Sequence, residues 1–334
     1  MPIRIGINGY GRIGRNLHRQ LLKFDDIEVV AINSRANAAS HMYLLKHDSL
    51  YGTLDASMEL DGDNFKVNGK TVHVYQIHNP ADLCWDKHDV DIVIEATGKF
   101  TAMEDVTKHL EAGAKKVLVT APCKDLNIPN IVMGVNEMDF DSKNYRVISN
   151  ASCTTNCLAP VLSVLNNKFG VDMAFVSTLH AFTYTQNLLD NSNPEDFRRS
   201  RATMESIIPT STGAMKAISR VIPSLEGKVD GMAFRVPVST VSCIDLVAKL
   251  SKDASVDDMN NSFIDAEQNY MSGVLGTSDE ELVSVDFRGD IRSSIVDLPS
   301  TKVLLNGYVK VVSWYDNEWG YVARVVDLIR WFMA

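Results

Sequence analysis

Three glycines within six residues, Gly9-x-Gly11-x-x-Gly14, stand between two patterned runs. PIRIGIN (2–8) reads as a short buried strand, and in the residues that follow Ile13, Leu17, Leu21 and Leu22 share one helical face. Few patterns restrict a chain more. Glycines here permit a tight turn and a close backbone approach, and the following helix offers N–H groups at its start to a pyrophosphate. Gly9 and Gly11 are therefore candidate dinucleotide ligands; a plain strand–turn–helix junction is the alternative.

The second strand, IEVVAIN (27–33), ends where such folds read the adenosine ribose. An Asp or Glu there binds the 2′-hydroxyl of NAD and repels a 2′-phosphate. This chain reads Asn33-Ser34-Arg35. A hydroxyl and a cation without a carboxylate can accept the phosphate of NADP, unless Ser34 and Arg35 are only a polar loop. Further strands are expected at Asp91–Glu95, in AGAKKVLVTAP (112–122) and in NYRVISNAS (144–152), with helical stretches between them. That alternation predicts an α/β fold with a Rossmann-type doubly wound parallel sheet and right-handed crossovers.

After residue 170 the pattern changes. DMAFVSTLHAFT, VDGMAFRVPVSTVSCIDLVAKL and KVLLNGYVKVVSWYD give longer strands with partial alternation. They predict an α+β catalytic domain around a large, mostly antiparallel sheet. The expected division is a dinucleotide-binding domain over 1–150, completed by a C-terminal helix over 316–334, and a catalytic domain over 151–315. A length of 334 residues suits two domains.

Charge and composition limit the partners. The net charge is −9 and no long basic run occurs, so nucleic acid and acidic membrane surfaces are not expected as partners. No run approaches the roughly 18 apolar residues of a membrane span. The N-terminus lacks a secretory pattern, which makes the cytoplasm the expected location.

SNASCTTNCLAP (149–160) raises a separate question, because it places two of the five cysteines four residues apart. A metal site needs three or four clustered ligands, so none is expected. A disulfide at a helix start is strained and out of place in a reducing compartment. What remains is a nucleophile or a buried inert thiol. A helix beginning near Thr154 directs its N–H groups and positive end at Cys153 and favours the thiolate, whereas Cys157, one turn deeper, points into the packing. His180 is the only histidine after residue 109, and it ends the strand-like FVSTLH. A thiolate needs such a partner. A cysteine, a histidine and a dinucleotide fold together suit the oxidation of an aldehyde through a hemithioacetal and a thioester. For an anionic substrate, Ser152, Thr154, Thr183, Arg199, Thr212, Gly213 and Arg235 are candidate phosphate ligands.

Along nearly its whole length the chain resembles the phosphorylating glyceraldehyde-3-phosphate dehydrogenases. The likeness runs through INGYGRIGR, SNASCTTNCLAP, HAFTYTQ, RRSRATMESIIPTSTGAMKA, MAFRVP and WYDNEWGY. It implies Cys153 as nucleophile and His180 as the group that raises its reactivity and handles the proton. Thr183 and Arg235 would hold the phosphate of the substrate, glyceraldehyde 3-phosphate. Ser152, Thr154, Thr212, Gly213 and Arg199 would shape the site for inorganic phosphate or for the phosphate ends. Arg12 and Ile13 would touch the pyrophosphate, Thr97 and Thr120 would line the cofactor cleft, and Asn317 would fix the nicotinamide carboxamide. The resemblance also implies a homotetramer, with the loop after His180 at a subunit interface.

Two departures stand out. NAD-preferring members carry Asn-Asp after the second strand and Leu-Pro in the interface loop, where this chain has Asn33-Ser34 and Asn191-Ser192. Ser34, Arg35 and Ser192 thus become candidate NADP determinants, and use of NADP beside NAD is expected. Erythrose-4-phosphate dehydrogenase is the near rival, and Thr183 and Thr212-Gly213 disfavour it. A Cys–His thiol hydrolase or acyltransferase, or a non-catalytic dinucleotide-binding protein, leaves either the glycine turn or the cysteine site without a use.

Overall fold

The computed structural model describes residues 1–334, and these fall into two compact units. The first comprises 1–131, 138–151 and 322–334. In chain order it contains β1 (Ile3–Asn8), α1 (Arg12–Leu21), β2 (Ile27–Asn33), α2 (Ala38–Lys46) and the short pair β3 (His47–Asp48) and β4 (Gly52–Thr53). It continues with β5 (Met58–Asp61), β6 (Asn64–Val67), β7 (Lys70–Tyr75), β8 (Ile92–Glu95), α3 (Met103–Glu111), β9 (Lys116–Val119) and β10 (Val147–Ser149).

Its main sheet runs β10-β9-β8-β1-β2-β7-β6-β5. The first six strands in that order are parallel, and β6 and β5 add an antiparallel edge. Strand order reverses between β1 and β8, the switch point at which doubly wound sheets bind ligands. The strands are buried on both faces, as parallel strands covered by helices must be. Ile5, Ile7, Ile32, Ile92 and Ile94 are all fully buried. One apolar cluster gathers Val30, Trp85, Val90 and Val93, and another Val106, Val117, Val119 and Val147.

The second unit comprises 132–137 and 152–321. It contains α4 (Cys153–Phe169), β11 (Val171–Ala181), β12 (Ile208–Thr210), α5 (Ala214–Val221), β13 (Val229–Val236), β14 (Ser242–Leu250) and α6 (Val256–Gln268). Then come β15 (Leu275–Ser278), β16 (Ser294–Asp297), β17 (Lys302–Val303), β18 (Tyr308–Tyr315) and the start of α7 (Trp319–Met333). The sheet order is β12-β13-β11-β14-β18-β16-β15. Only β11 with β13 and β15 with β16 pair in parallel. Helix α4 is buried continuously from Thr154 to Leu165, so it forms the centre of the unit rather than a surface helix. Along β11 burial alternates, with Ala174, Val176, Thr178 and His180 inward and Phe175 and Leu179 outward.

This division differs from the sequence-derived boundaries in three places, the smallest being Ala151, which falls in the first unit. Residues 132–137 belong with the second unit, where Gly134 packs beside Val274. Residues 316–321 belong there too. Asp316 caps the start of α7 through the N–H groups of Glu318 and Trp319, and its carboxylate also accepts from the Thr240 hydroxyl and the Gly289 N–H.

Candidate active site

In the first unit the glycine turn follows β1 directly. Gly9 has φ +96, and a Cβ on it would lie 2.6 Å from the backbone of Ala96 and Thr97. Gly14 passes so close to the Gly9 carbonyl that a Cβ would come within 2.4 Å of its oxygen. Gly11 differs from both, since a Cβ there would meet nothing within 4 Å. It is the N-cap of α1, it contributes no side-chain cap, and the first turn holds no acidic residue. A helix start that is open in this way fits a pyrophosphate. The Arg12 side chain pairs with Asp48 and lies over the Tyr51 ring. Ile13 is the second residue of the helix.

At the end of β2, the Ser34 N–H donates to the Tyr75 carbonyl, and Arg35 is exposed. No carboxylate follows Asn33 before residue 48. The Thr97 N–H donates to Glu95 Oε1 at 2.8 Å, and the Thr120 hydroxyl donates to the Glu95 carbonyl at 3.1 Å. Gly9, Gly11, Arg12, Ile13, Ser34, Thr97 and Thr120 therefore all lie at the carboxyl ends of β1, β2, β8 and β9 or in the turns that follow.

In the second unit Cys153 is the first residue of α4. Ser152 is its N-cap: the Ser152 hydroxyl oxygen accepts from the Thr155 N–H at 3.0 Å and pairs with the Thr155 hydroxyl. Cys153 Sγ lies 3.5 Å from His180 Nε2. His180 and Arg235 are register partners on the parallel strands β11 and β13, which explains why residues so far apart in sequence meet. Arg235 Nη1 reaches His180 Nδ1 at 2.5 Å, and the Ala181 carbonyl lies 2.6 Å from the same nitrogen. The carbonyl only accepts and the guanidinium only donates, so Nδ1 serves one of them at a time.

Burial and the Arg235 charge lower the His180 pKa to about 3, so the ring is neutral at pH 7. Burial pushes the Cys153 thiol up, against the opposing pull of Arg235 and of hydrogen bonds from Thr154. Burial and the hydrogen bonds at the helix start thus act on Cys153 in opposite directions, and His180 is placed to take the proton. Cys157 is fully buried against Ser294 and Ser313, with its thiol pushed up to about 12, and belongs to the packing.

The other candidates are spread around this pair. Thr154 is buried and its hydroxyl turns inward to Tyr315, so it braces the site rather than facing a ligand. Thr183 donates both its N–H and its hydroxyl to Gln186 Oε1. Arg199 bonds Asp196 and the Thr210 hydroxyl, and β12, which ends at Thr210, pairs with β13 at Arg235. The Thr212 hydroxyl accepts from the Ala214 N–H at the start of α5, next to Gly213. Asn317 is tied to His180's neighbour: the Ala181 N–H donates to Ser242 Oγ, which donates to Asn317 Oδ1. Ser192 is exposed on the loop after β11, and its N–H donates to Asn191.

Two participants were missed in the sequence. Tyr315, almost fully buried, joins the Thr154 and Thr178 hydroxyls and sets its ring edge-on to His180. Ser242 orients Asn317. Tyr315 lies within the WYDNEWGY segment, so its neighbourhood was marked; Ser242 carried no signal, because only strand register brings it beside Ala181.

A dinucleotide sheet and a cysteine with a histidine partner, carried on one chain, define an oxidoreductase that oxidises through a covalent sulfur adduct. Comparison with known proteins supplies the family. Residues 3–103 match the glyceraldehyde 3-phosphate dehydrogenase NAD binding domain, and residues 152–317 match the C-terminal domain of the same enzyme. The chain is 53% identical over 334 residues to the glyceraldehyde-3-phosphate dehydrogenase of Priestia megaterium, covering 100% of this chain and 99% of the relative. It is 51% identical to glyceraldehyde-3-phosphate dehydrogenase 1 of Bacillus subtilis, over 98% of this chain and 97% of that one. The Geobacillus stearothermophilus enzyme is also 51% identical, over 100% and 99%. The chain belongs to the glyceraldehyde-3-phosphate dehydrogenase family.

Proposed function

We propose that this chain oxidises glyceraldehyde 3-phosphate in the presence of inorganic phosphate to 1,3-bisphosphoglycerate, with Cys153 as nucleophile and His180 as its base. The observation that carries the assignment of roles is the 3.5 Å approach of His180 Nε2 to the sulfur at the first position of α4. When Nδ1–H donates to the Ala181 carbonyl, the Nε2 lone pair faces Sγ and takes the thiol proton. The sulfur then adds to the aldehyde carbon while Nε2–H returns its proton to the carbonyl oxygen, and the resulting hemithioacetal hydroxyl gives that proton back to His180 Nε2 as the carbon is oxidised. The bound nicotinamide dinucleotide supplies the hydride acceptor for that oxidation. Inorganic phosphate attacks the thioester, the acyl phosphate leaves, and Cys153 is released as sulfur anion to be reprotonated.

Arg235 and Thr183 hold the substrate's phosphate, with Arg199, Ser152, Thr212 and Gly213 around the second phosphate position and Thr154 bracing them from behind through Tyr315. Helix start α1, Thr97, Thr120 and Asn317 hold the dinucleotide. The turn after β2, which lacks a carboxylate and carries Ser34 and Arg35, admits the 2′-phosphate of NADP, with Ser192 as a further contact. The deciding experiment is initial-rate oxidation of glyceraldehyde 3-phosphate with phosphate present, comparing NAD and NADP on one preparation. Equal or better kcat/KM with NAD refutes the assignment of Ser34, Arg35 and Ser192 but leaves the enzyme; faster turnover of erythrose 4-phosphate refutes the three-carbon substrate.

The protein works as a homotetramer. The outer face of the second sheet supports this: Met173, Phe175, Leu179, Met232, Val247 and Tyr308 are all exposed there, Phe175 at 63%. Phe175 pairs across the sheet with Val247, and Lys249 with Tyr308, so the apolar side chains lie on adjacent strands. A face of this kind marks a protein interface. Light scattering giving the mass of one 37.0 kDa chain would refute the assembly.

A further inference from the structure

The last residues of β2, β1 and β8 are Asn33, Asn8 and Glu95, and they form one rung of the parallel sheet at its switch point. One rung below, the residues are Ile32, Ile7 and Ile94, all fully buried and apolar. The sheet is thus packed like an ordinary parallel core until its final rung, where a polar row replaces it. Each residue of that row is followed at once by a turn that faces the cofactor in the proposed function: Ser34-Arg35 after Asn33, the glycine turn after Asn8, and Thr97-Gly98 after Glu95.

The side chains of the row are joined. Asn33 Nδ2 donates to Asn8 Oδ1 at 2.8 Å, and Asn8 Nδ2 donates to Glu95 Oε2 at 2.5 Å. Glu95 Oε1 accepts from the Thr97 N–H at 2.8 Å and from the Thr97 hydroxyl. Asn33 also bonds both backbone polar groups of Ile77. Behind the row, Trp85 Nε1 donates to His109 Nδ1 at 3.2 Å. Indole N–H only donates, so the proton of His109 is on Nε2, which lies 3.1 Å from Glu95 Oε2 and donates to it.

Every group facing Glu95 is therefore a donor, and a protonated carboxyl would have no acceptor for its own hydrogen. The side chain is a carboxylate that is 1% exposed and held by amide, hydroxyl and imidazole donors, with no Lys or Arg among these partners. Burying such an ion costs several kcal/mol, and charge-assisted hydrogen bonds offset that cost only while every donor is in place. Displacing any one donor is expensive, and the array resists distortion for that reason.

We infer that Glu95 is a positioning residue for the cofactor: through Asn8 and Asn33 on one side and Thr97 on the other, it sets the turns at Ser34 and Thr97 as one unit. The inference rests on the reading that these turns hold the dinucleotide. Glutamine has the same shape, but it offers a single acceptor oxygen and would turn an NH2 toward the amide of Asn8 and the N–H of His109. Glu95→Gln therefore frees the Asn8–Asn33 side of the row and leaves the Thr97 turn held by a neutral amide oxygen in place of a carboxylate.

The test measures dissociation constants of NAD and NADP separately by calorimetry on wild type and Glu95→Gln, with the rate of Cys153 alkylation by iodoacetamide recorded without cofactor. Both constants are expected to rise roughly tenfold, the effect of leaving a buried donor unpaired, while alkylation stays at the wild-type rate. Wild-type affinity in the variant overturns the inference. So does a parallel loss of alkylation, which would mean general damage to the fold. Should Glu95→Gln fail to fold, Trp85→Phe decides: it removes the donor that fixes the His109 tautomer, and the smaller ring in a fully buried site also lowers the melting temperature. A threefold or larger rise in both constants with Cys153 alkylation at the wild-type rate supports the inference, and unchanged constants overturn it. Absence of dinucleotide binding to the wild type would instead overturn the reading of the turns themselves.

Discussion

Helices α1 and α4 both begin shortly after a strand of the parallel sheet, and their first turns are finished in opposite ways. In α1 the cap is Gly11, which has no side chain to offer the helix N–H groups and no atoms within reach of a Cβ. In α4 the cap is Ser152, whose oxygen takes the Thr155 N–H, and the first helical residue is Cys153. One helix start is left for an outside anion; the other is closed by its own serine and furnished with a nucleophile. In the proposed function the same electrostatic feature serves binding in one unit and chemistry in the other.

Removing the chemistry should leave the binding. Cys153→Ala is expected to lower phosphate-dependent turnover by at least about a thousandfold, because no other group can form the thioester. Calorimetry on the same variant should show dinucleotide affinity unchanged. Residual turnover above a few per cent of wild type would mean that the cysteine is not the nucleophile, whatever happens to binding.

The converse change is Gly11→Asp. Its backbone is in an extended region that any residue adopts, with φ −82, and a Cβ meets no atom, so the fold accepts it. Aspartate is a good N-cap and should stabilise α1 by a few tenths of a kcal/mol over glycine. It also places a carboxylate where the pyrophosphate is proposed to lie. A more stable protein that binds dinucleotide on the order of a hundredfold more weakly is the expected result, with Cys153 alkylation unaffected. Unchanged affinity would show that the open turn is not the anion site.

How much of this was legible in the sequence follows from the range of the interactions involved. The glycine turn, the strand before it and the helix after it are local, and Gly9 and Gly14 are explained by backbone neighbours at the sheet switch point, whereas Gly11 has none. The pairing of Cys153 with His180 was readable as chemistry, since a lone histidine in that half of the chain had few other uses. Its geometry was not: His180 meets Arg235 only through the parallel register of β11 with β13, and that register leaves no mark on the local pattern. Thr154 was assigned to a ligand because it adjoins the cysteine, yet one residue along a helix turns a side chain about a hundred degrees, and it points to Tyr315 instead. The balance acting on the thiol was half legible: a helix start is visible in sequence, whereas the burial that opposes it depends on everything packed around the site.

Acid should distinguish the units less sharply, because each holds a buried histidine whose pKa is lowered to about 3. Burial lowers His18 in the first unit and His180 in the second to about 3, against about 6.5 in an unfolded chain. Between those values the unfolded chain binds more protons than the native one. Stability is therefore full above pH 6.5 and falls as the pH drops toward 3, at up to about 1.4 kcal/mol per pH unit for each histidine. Urea unfolding at pH 7.5 and pH 5.5 should show this loss. His41 and His88 are lowered in the same direction, so His180→Asn should remove part of the difference, and a stability that rises on acidification would contradict the neutral assignment of these rings.

The smallest change concerns the cap that makes α4 unlike α1. Ser152→Ala removes the oxygen that takes the Thr155 N–H while leaving Cys153 at the first position of the helix. Loss of an N-cap costs about 1 kcal/mol, so a modest fall in urea midpoint is expected. If the serine only closes the helix, that is the whole effect, and kcat/KM follows stability. If it also shapes the position of inorganic phosphate, KM for phosphate rises while KM for the aldehyde does not. The freed N–H of Thr155 gives the second outcome a further signature. A helix start without its serine resembles α1, and anions should then bind there and slow Cys153 alkylation by iodoacetamide in proportion to their concentration. Alkylation insensitive to sulfate in both wild type and Ser152→Ala would show that the two helix starts differ by more than their caps.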